Sequence, residues 1–254
     1  SQSAFSTIGT FTSGYCTPSG SNGSYWITNF TTTTGITNIN NTSAAGVGGF
    51  SNFTAQSCSQ YQGSAVNLSI STNSGTHYFY VWVDWNNNGS FLDAGEAIVT
   101  STTTFLSSYS GSYTIPLTQA AGSYRMRVGQ NWSATILTPC GTSSNGEYED
   151  YIFTVVALPA CSGTPSAGTV VYSGATLCAN VGSATITNSG FTTGFSGLMY
   201  QWLSSNDNFA TDTSSVSGGS NPASLSTGAL TATTSYLVRA FCSNSGIYSY
   251  SNKI

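Results

Sequence analysis

Charged residues are scarce in this sequence. Asp, Glu, Lys and Arg make up 5% of the 254 residues, whereas they make up about 25% of an average soluble domain. The four Lys and Arg residues and the net charge of −4 exclude a protein that neutralises a nucleic-acid backbone. Long apolar runs are also missing, and none approaches the roughly 18 residues of a membrane-spanning helix. We therefore expect neither nucleic-acid binding nor membrane insertion.

Side chains suited to catalysis are few. The chain has eight Asp and Glu residues and one histidine, His77, which begins a strand-like run and lies beside no serine or cysteine motif. A serine triad or a Cys–His dyad would have to use this histidine. We predict no catalytic residues and no enzymatic activity.

The cysteines indicate the redox environment in which the protein is located. The six of them include no CxxC pair, which argues against a zinc site. In a chain with so few charges they indicate an oxidising compartment, so the expected location is extracellular or at a bacterial cell surface. Their spacing alone leaves all of the roughly fifteen disulfide connectivities open. Because Ser1–Gly14 lacks the regions of a signal peptide, we expect a piece of a longer exported protein.

Short β-type runs separated by Gly, Ser and Asn turns replace helical periodicity almost throughout. The run His77–Trp85 has apolar residues on both faces, which indicates a central strand that is covered on both sides. Many strands with turns at short spacing favour β-sandwiches. In the second half, Tyr200-Gln201-Trp202 is predicted to be a strand with a buried tryptophan.

A domain boundary is predicted near residues 157–160, where Pro159 ends a strand-like run and a Gly- and Pro-containing stretch follows. The predicted fold class is therefore all-β, with two consecutive β-sandwich domains. We assign residues 1–13 to a linker or to the end of a preceding module, residues 14–157 to the first sandwich and residues 158–254 to the second.

The segment Asp84–Glu96 has the pattern of a calcium loop. Oxygen-bearing side chains at every second position, then a glycine, then acids suit a hard cation that takes six to eight oxygen ligands. Six residues separate Gly89 from Glu96, one more than in an EF-hand, and a β-run precedes the loop. The alternative is an Asn-Gly turn with incidental acids. We predict Ca²⁺ as the cofactor, with ligands at Asp84, Asn86, Asn88, a carbonyl near Ser90, Asp93 and Glu96, the last of which ligates or orients the loop.

A second acidic group follows two arginines. Arg125 and Arg127 lie on one face of a strand, and we expect an ion-pair cluster between neighbouring strands, because buried charges persist when they are paired. The alternative is that Glu147 or Asp150 completes the cation site or touches a ligand. The predicted cluster comprises Arg125, Arg127, Glu147, Glu149 and Asp150.

Several motifs together resemble a GEVED domain over roughly residues 14–156. The family's usual GEVEDY reads GEYEDY here, with Tyr148 at the variable position. The motifs that carry the resemblance are Tyr15-Cys16, the D-x-N-x-N-G-x-F-x-D-x-G-E segment at 84–96, Arg125-Met126-Arg127-Val128, Pro139-Cys140-Gly141 and Gly146–Tyr151. The resemblance implies a β-sandwich, calcium binding and a disulfide between Cys16 and Cys140. It also implies secreted or cell-surface proteins of the Bacteroidetes and export by the type IX pathway.

The second domain resembles the Ig-like modules of the same surface proteins. Cys161–Thr169 matches their opening pattern, and Gly197–Trp202 matches a later one. The topology of those modules places Cys161, before the first strand, near Cys242 at the end of the late strand, so the resemblance implies a Cys161–Cys242 disulfide. Val238 stands where those modules have another cysteine, which leaves Cys178 without that partner. Cys58 and Cys178 would then be unpaired, bonded to each other or bonded to another chain.

These observations predict a non-enzymatic adhesion or scaffold fragment of a larger surface protein, with neighbouring modules of the same polypeptide and a glycan or protein ligand as partners. One alternative is a carbohydrate-binding module attached to a secreted enzyme, for which Trp26 and Trp132 are the candidate glycan-contact aromatics. Another is a subunit of an extracellular homo-polymeric filament, with intermolecular bridges at Cys58 or Cys178.

Overall fold

The computed structural model describes residues 14–20, 24–100, 106–132, 137–174, 182–216 and 221–254. The chain divides into two compact units, Ser1–Ala157 and Leu158–Ile254. The linker predicted over residues 1–13 and Cys178 lie outside the described residues. In the described part of the chain, no helix has the length and apolarity needed to cross a membrane.

The first unit is built from short strands, as expected for a chain rich in Ser, Thr and aromatic residues. A single 3-10 turn, Val47–Gly49, is found among its described residues. The strands are β1 (Ser19–Gly20), β2 (Ile27–Thr33), β3 (Asn40–Thr42), β4 (Phe50–Tyr61), β5 (Ala65–Thr72), β6 (Tyr78–Val83), β7 (Ala97–Thr100), β8 (Ser108–Thr114), β9 (Gly122–Asn131), β10 (Thr142–Ser143) and β11 (Gly146–Val156).

Two sheets of the first unit face each other. The first has the order β3-β2-β5-β8 and is antiparallel. The second has the order β4-β11-β9-β6-β7, in which only β4 and β11 are parallel. Apolar side chains of both sheets form one core, which includes Ile27, Phe30, Leu68, Ile70, Phe79, Val81, Met126, Val128 and Phe153. Strands β1 and β10 form a separate parallel pair.

Strand β6 lies inside the second sheet and is covered on both faces, as its sequence pattern predicts. Phe79 and Val81 belong to the core between the sheets. Tyr80 and Trp82 point to the other side of the sheet and stack on each other, with ring centroids 5.4 Å apart. There they pack in a second apolar cluster with Phe91, Leu137 and Tyr148. The outer face of this sheet is therefore also buried, and it carries the candidate site.

The second unit is a smaller sandwich of two antiparallel sheets. Its strands are β12 (Ala167–Val171), β13 (Ser183–Phe191), β14 (Leu198–Ser205), β15 (Ser214–Ser215), β16 (Ser224–Ala229), β17 (Ser235–Cys242) and β18 (Ile247–Tyr250). The sheet orders are β12-β13-β16 and β15-β14-β17-β18. Trp202 is completely buried in the core between them, as predicted. The predicted fold class, all-β with two consecutive sandwiches, is confirmed.

Candidate functional site

The segment Asp84–Glu96, called the acidic loop below, connects the adjacent antiparallel strands β6 and β7. Three of its residues have a positive φ: Asn87 at 55°, Gly89 at 84° and Gly95 at 88°. Glycine and asparagine adopt this left-handed backbone region most readily. The positions of these residues in the sequence therefore allow the chain to fold into tight consecutive turns.

Asp84 lies at the base of the acidic loop and is completely buried. One of its oxygens, Oδ2, accepts hydrogen bonds from the Tyr15 hydroxyl at 2.7 Å and from the Gly89 N–H at 2.9 Å. The other oxygen, Oδ1, accepts from the Asn88 N–H at 3.2 Å. Donors from both the loop and a distant segment thus hold this carboxylate in the interior.

Three further predicted ligands meet at the exposed side of the acidic loop. The amide groups of Asn86 and Asn88 donate to Oδ2 of Asp93, at 3.2 and 2.7 Å. Asn86 Oδ1 accepts a hydrogen bond from the backbone N–H of Asn88, and Asn88 Oδ1 accepts one from the backbone N–H of Ser90. Side chains from both halves of the loop are therefore in direct contact.

Glu96 closes the acidic loop. It is buried, and its two carboxylate oxygens accept from the backbone N–H groups of Trp85 at 3.2 Å and Asp93 at 3.1 Å. Burial raises the pKa of Glu96, and the negative charges of Asp84 and Asp93 raise it further. Of the two roles predicted for Glu96, the structure shows the orienting one.

The loop carboxylates do not converge on a single point. Among the described residues, no three His, Cys, Asp or Glu side chains form a group that could hold a metal ion. A cation in this loop would therefore depend on the amide oxygens of Asn86 and Asn88 as well. Ser90, where a carbonyl ligand is predicted, uses its hydroxyl to accept the Leu92 N–H at 3.1 Å.

An arginine cluster lies on the same outer face of the second sheet. Arg127 is completely buried, and its Nε and Nη2 atoms donate to the two oxygens of Asp150 at 2.6 and 2.9 Å. Arg125 donates to Asp150 Oδ2 at 3.1 Å. The guanidinium of Arg127 also lies 4.8 Å from the centre of the Phe91 ring in the acidic loop. Neighbouring strands β9 and β11 thus form the ion pair that the sequence predicts.

The cluster also includes the first disulfide. Cys16 and Cys140 are bonded, as the resemblance implies, with their Cα atoms 5.6 Å apart. Arg127 donates to the carbonyl oxygens of Cys16 at 2.9 Å and Pro139 at 2.5 Å. Since this arginine satisfies backbone acceptors at both ends of the bridge, it fixes the segments that cover the outer face of the sheet.

Tyr15 connects the arginine cluster to the acidic loop. Its hydroxyl binds Asp84, and the Arg125 guanidinium lies 4.6 Å from the centre of its ring. Burial raises the pKa of Tyr15, and the hydrogen bond to the Asp84 carboxylate raises it further. Sequence reasoning missed this residue as part of the site, although Tyr15 stands next to one of the bonded cysteines.

Glu147 and Glu149 do not belong to the arginine cluster, and that part of the prediction is wrong. Successive side chains of a strand point to opposite faces, so Asp150 faces the arginines while Glu147 and Glu149 face the interior between the sheets. Glu147 accepts the N–H groups of Ile27 at 2.8 Å and Gly46 at 2.5 Å. This position also places Glu147 on the other side of the sheet from the acidic loop.

Glu149 is completely buried beside two hydroxyl groups. Ser43 Oγ lies 2.6 Å from one of its oxygens and Tyr151 Oη 2.6 Å from the other. Burial raises the pKa of Glu149 to about 7, and the nearby Glu147 carboxylate adds to this effect. Burial raises the pKa of Glu147 as well.

The two candidate glycan-contact tryptophans are near Tyr25. Trp132 is 43% exposed and stacks on Tyr25, with ring centroids 5.4 Å apart and an interplanar angle of 3°. Trp26 is half-buried, and its backbone N–H donates to Asn73 Oδ1 at 3.0 Å. One face of the Trp132 ring is therefore already covered by protein.

The other cysteines that the structure describes, and the histidine, are buried inside their units. Cys161 and Cys242 form the second disulfide that the resemblance implies, with their Cα atoms 5.8 Å apart. Cys58 is free and buried in the core of the first unit. His77 is completely buried, and a ring nitrogen, Nε2, lies 2.6 Å from the Ser74 carbonyl oxygen.

Comparison with known proteins yields similarity at the level of domains. No curated protein matches the chain. The match to the FN1–FN3 domains of chicken CNTN1 has 13% sequence identity and a TM-score of 0.24, and it covers 85% of this chain and 69% of that chain. The match to the human OSCAR ligand-binding domain has 14% sequence identity and a TM-score of 0.22, and it covers 77% of this chain and 92% of that chain. TM-scores this low do not bear on function.

Two family models match separate parts of the chain. The second, Domain of unknown function (DUF8696), matches residues 166–254, where the sequence resembles an Ig-like module. The first model begins at β6 and includes the acidic loop, both arginines and the GEYEDY motif. Residues 78–154 match the GEVED domain, which confirms the resemblance over that part of the first sandwich.

Proposed function

We propose that this chain is a non-enzymatic adhesion or scaffold fragment of an extracellular or cell-surface protein, and that a calcium ion held by the acidic loop stiffens its first unit. The match to the GEVED domain supports this role for residues 78–154. The two disulfides support an oxidising location. The neighbouring modules of a longer polypeptide would be the fragment's nearest partners.

One observation carries the calcium proposal: Asn86, Asn88 and Asp93 contact one another at the exposed side of the acidic loop, above the buried Asp84. Carboxylate and amide oxygens are the ligands that Ca²⁺ prefers. Among the described residues, the ion pairs are those of the arginines with Asp150, so the three loop carboxylates have no cationic side chain to offset them. A divalent ion would supply the missing positive charge.

The residues present fit such an ion. Asp84, Asn86, Asn88 and Asp93 would hold it, and Glu96 would keep its orienting role through Trp85 and Asp93. The raised pKa of Glu96 has the same electrostatic origin, because Asp84 and Asp93 repel a third negative charge. Bound calcium would lower the pKa of Glu96 and remove this repulsion.

The non-enzymatic role rests on the partners of the acidic residues. Asp150 is paired with both arginines, Glu147 holds backbone N–H groups, and Glu149 is completely buried. These contacts give each carboxylate a structural task, and none of the three is exposed to a substrate. The buried His77 is equally unsuited to act as a general base.

Thermal unfolding with calcium and with a chelator tests the calcium proposal. At about one hundred times its dissociation constant, Ca²⁺ should stabilise the first unit by about 2.7 kcal/mol. Asp84→Asn and Asp93→Asn should each reduce the shift in Tm. Asp207→Asn, at a carboxylate of the second unit, is the matched control and should retain it. An equal Tm with calcium and with chelator in the unsubstituted chain would refute the calcium site.

A further inference from the structure

In the second unit, the outer face of the β15-β14-β17-β18 sheet carries a group of large side chains on β14, β17 and β18. Met199, Phe241 and Tyr248 are direct cross-strand neighbours. Gln201, Arg239 and Tyr250 form the adjacent row in the same register. We call these six residues the aromatic face.

The side chains of the aromatic face point away from the core. The alternate residues of the same strands, such as Trp202, Val238 and Ala240, are completely buried. In contrast, Met199 is 53% exposed, Tyr248 49% and Tyr250 59%. Folding of this unit therefore leaves these large side chains in solvent, where a ligand can reach them.

Arg239 is the cation of the aromatic face. Its guanidinium lies 5.4 Å from the centre of the Tyr248 ring, and Tyr248 stacks on Phe241 with ring centroids 4.3 Å apart. The ion pairs of the described residues do not include Arg239. An arginine that is fixed against an aromatic ring and has no carboxylate partner is suited to bind an anionic group from outside.

We propose that the aromatic face binds an anionic polysaccharide. The apolar faces of sugar rings would pack on Tyr250 and on the edge of the Phe241–Tyr248 stack. Arg239 would pair with a uronate carboxylate or a sulfate. The amide nitrogen of Gln201 already donates to the carbonyl oxygens of Trp202 and Val216, so its side-chain oxygen would accept hydrogen bonds from sugar hydroxyl groups. A flat sheet surface suits an extended polymer better than a small ligand, which needs a concave pocket.

The size of the face argues against a protein partner or a second copy of the chain. Three strands about 4.8 Å apart and two rows about 7 Å apart give a footprint on the order of 200 Å². A stable protein–protein interface buries about 800 Å² on each partner. The face is thus large enough for a few sugar rings and too small for a stable protein dimer.

This inference deepens the proposed adhesion role, because it names a ligand class and depends on an extracellular location. Its failure would be distinguishable from failure of the calcium proposal. Glycan binding concerns the second unit, whereas the effect of calcium on Tm concerns the acidic loop of the first.

Affinity electrophoresis of the full chain tests the proposal. The gels contain polygalacturonate or alginate as carboxylate polymers, carrageenan as a sulfated polymer, or hydroxyethyl cellulose as a neutral one, and calorimetry then measures the affinity for any polymer that retards the chain. We expect stronger retardation by at least one anionic polymer than by the neutral one. The carboxylate and sulfate gels distinguish the two sources of negative charge.

Two variants and one control assign the binding surface. Tyr250→Ala should weaken binding at least about tenfold, and Arg239→Gln should remove the preference for anionic over neutral polymers. Tyr61→Ala, at a tyrosine of the first unit that is 36% exposed, should bind normally. Unchanged melting of the second unit in each variant shows that the loss is local.

Three results would overturn the proposal. One is a folded chain that no anionic polymer retards, and another is retardation that survives both substitutions in the aromatic face. The third is a concentration-dependent dimer, seen by sedimentation, that Tyr250→Ala dissociates. In that case the face is an interface between copies of this chain.

Discussion

The hydroxyl of Tyr15 donates a hydrogen bond to the buried carboxylate of Asp84 across 2.7 Å, although the two residues are 69 positions apart. Cys16, the next residue, is bonded to Cys140, and its carbonyl oxygen accepts from Arg127. The disulfide, the arginine cluster and the acidic loop are therefore one connected structure on the outer face of the second sheet. A change at any of these positions should affect the stability of the first unit.

Tyr15→Phe tests this connection. The substitution removes one donor from a completely buried carboxylate and leaves the ring contact with Arg125 in place. We expect the free energy of unfolding of the first unit to fall by about 2 kcal/mol, as for a hydrogen bond to a charged group. Urea denaturation followed by tryptophan fluorescence measures this change. Tyr61→Phe, at an exposed tyrosine, should cost less than about 0.5 kcal/mol, and equal costs for the two variants would contradict the connection.

Arg127→Lys and Arg125→Lys should differ strongly, although both keep the positive charge. Arg127 donates to both oxygens of Asp150 and to two backbone carbonyl oxygens, a set that one ammonium group cannot reproduce. We expect Arg127→Lys to lower the free energy of unfolding by about 3 kcal/mol. Arg125 makes one such bond and is partly exposed, so its replacement should cost less than about 1 kcal/mol. Similar costs in urea denaturation would show that the fork geometry of Arg127 is unimportant.

Features encoded within one segment could be predicted from the sequence. The alternation along His77–Trp85 identified β6 as a strand covered on both faces, and the spacing of oxygen-bearing residues identified the acidic loop. Both signals are local, because they depend on the two-residue period of a strand and on the turn preferences of Asn and Gly. The buried Trp202 was predictable for the same reason.

The contacts that Tyr15 and Glu147 make with distant segments were beyond sequence reasoning. Tyr15 reaches Asp84, and Ile27 and Gly46 reach Glu147, only because the sheets bring these segments together. The error at Glu147 and Glu149 was of another kind. The period of two places them on the face opposite Asp150, so a stricter use of that period would have separated them from the arginines.

The raised pKa of Glu149 predicts that the first unit loses stability as the pH rises. Between about pH 4.5 and pH 7 the folded protein keeps a proton on Glu149 that the unfolded chain has released. The free energy of unfolding should therefore fall through this window, by on the order of 3 kcal/mol, and stay at the lower value above it. Glu147, whose pKa is also raised, contributes in the same direction.

Burial favours the neutral form of Glu149, and the hydrogen-bonding groups around it can accommodate that form. Ser43 Oγ lies 2.8 Å from the Ile27 carbonyl oxygen and 2.6 Å from Glu149, but its single proton can serve only one of the two. A protonated Glu149 donates to Ser43, which then donates to Ile27. Glu149→Gln reproduces this arrangement, so it should stabilise the first unit above pH 7 and flatten its pH dependence. Asp207→Asn, at a carboxylate of the second unit, is the control and should keep the slope of the first unit, and urea denaturation in chelator from pH 4.5 to 8.5 measures both. A stability that rises with pH in the unsubstituted chain would contradict a neutral Glu149.

Cys58 should resist both thiol reagents and intermolecular bonding. It is completely buried, and burial raises the pKa of its thiol to about 12, so almost none of the reactive thiolate is present at pH 8. In a Cys178→Ser variant, which isolates this thiol, we expect Ellman's reagent to react only as fast as the first unit unfolds. The same variant in guanidinium chloride should react at the rate of a free thiol. A disulfide-linked dimer of Cys178→Ser under native conditions would contradict this expectation. It would also support a filament with intermolecular bridges at Cys58. If Cys58 stays buried, a bridged filament would have to use Cys178.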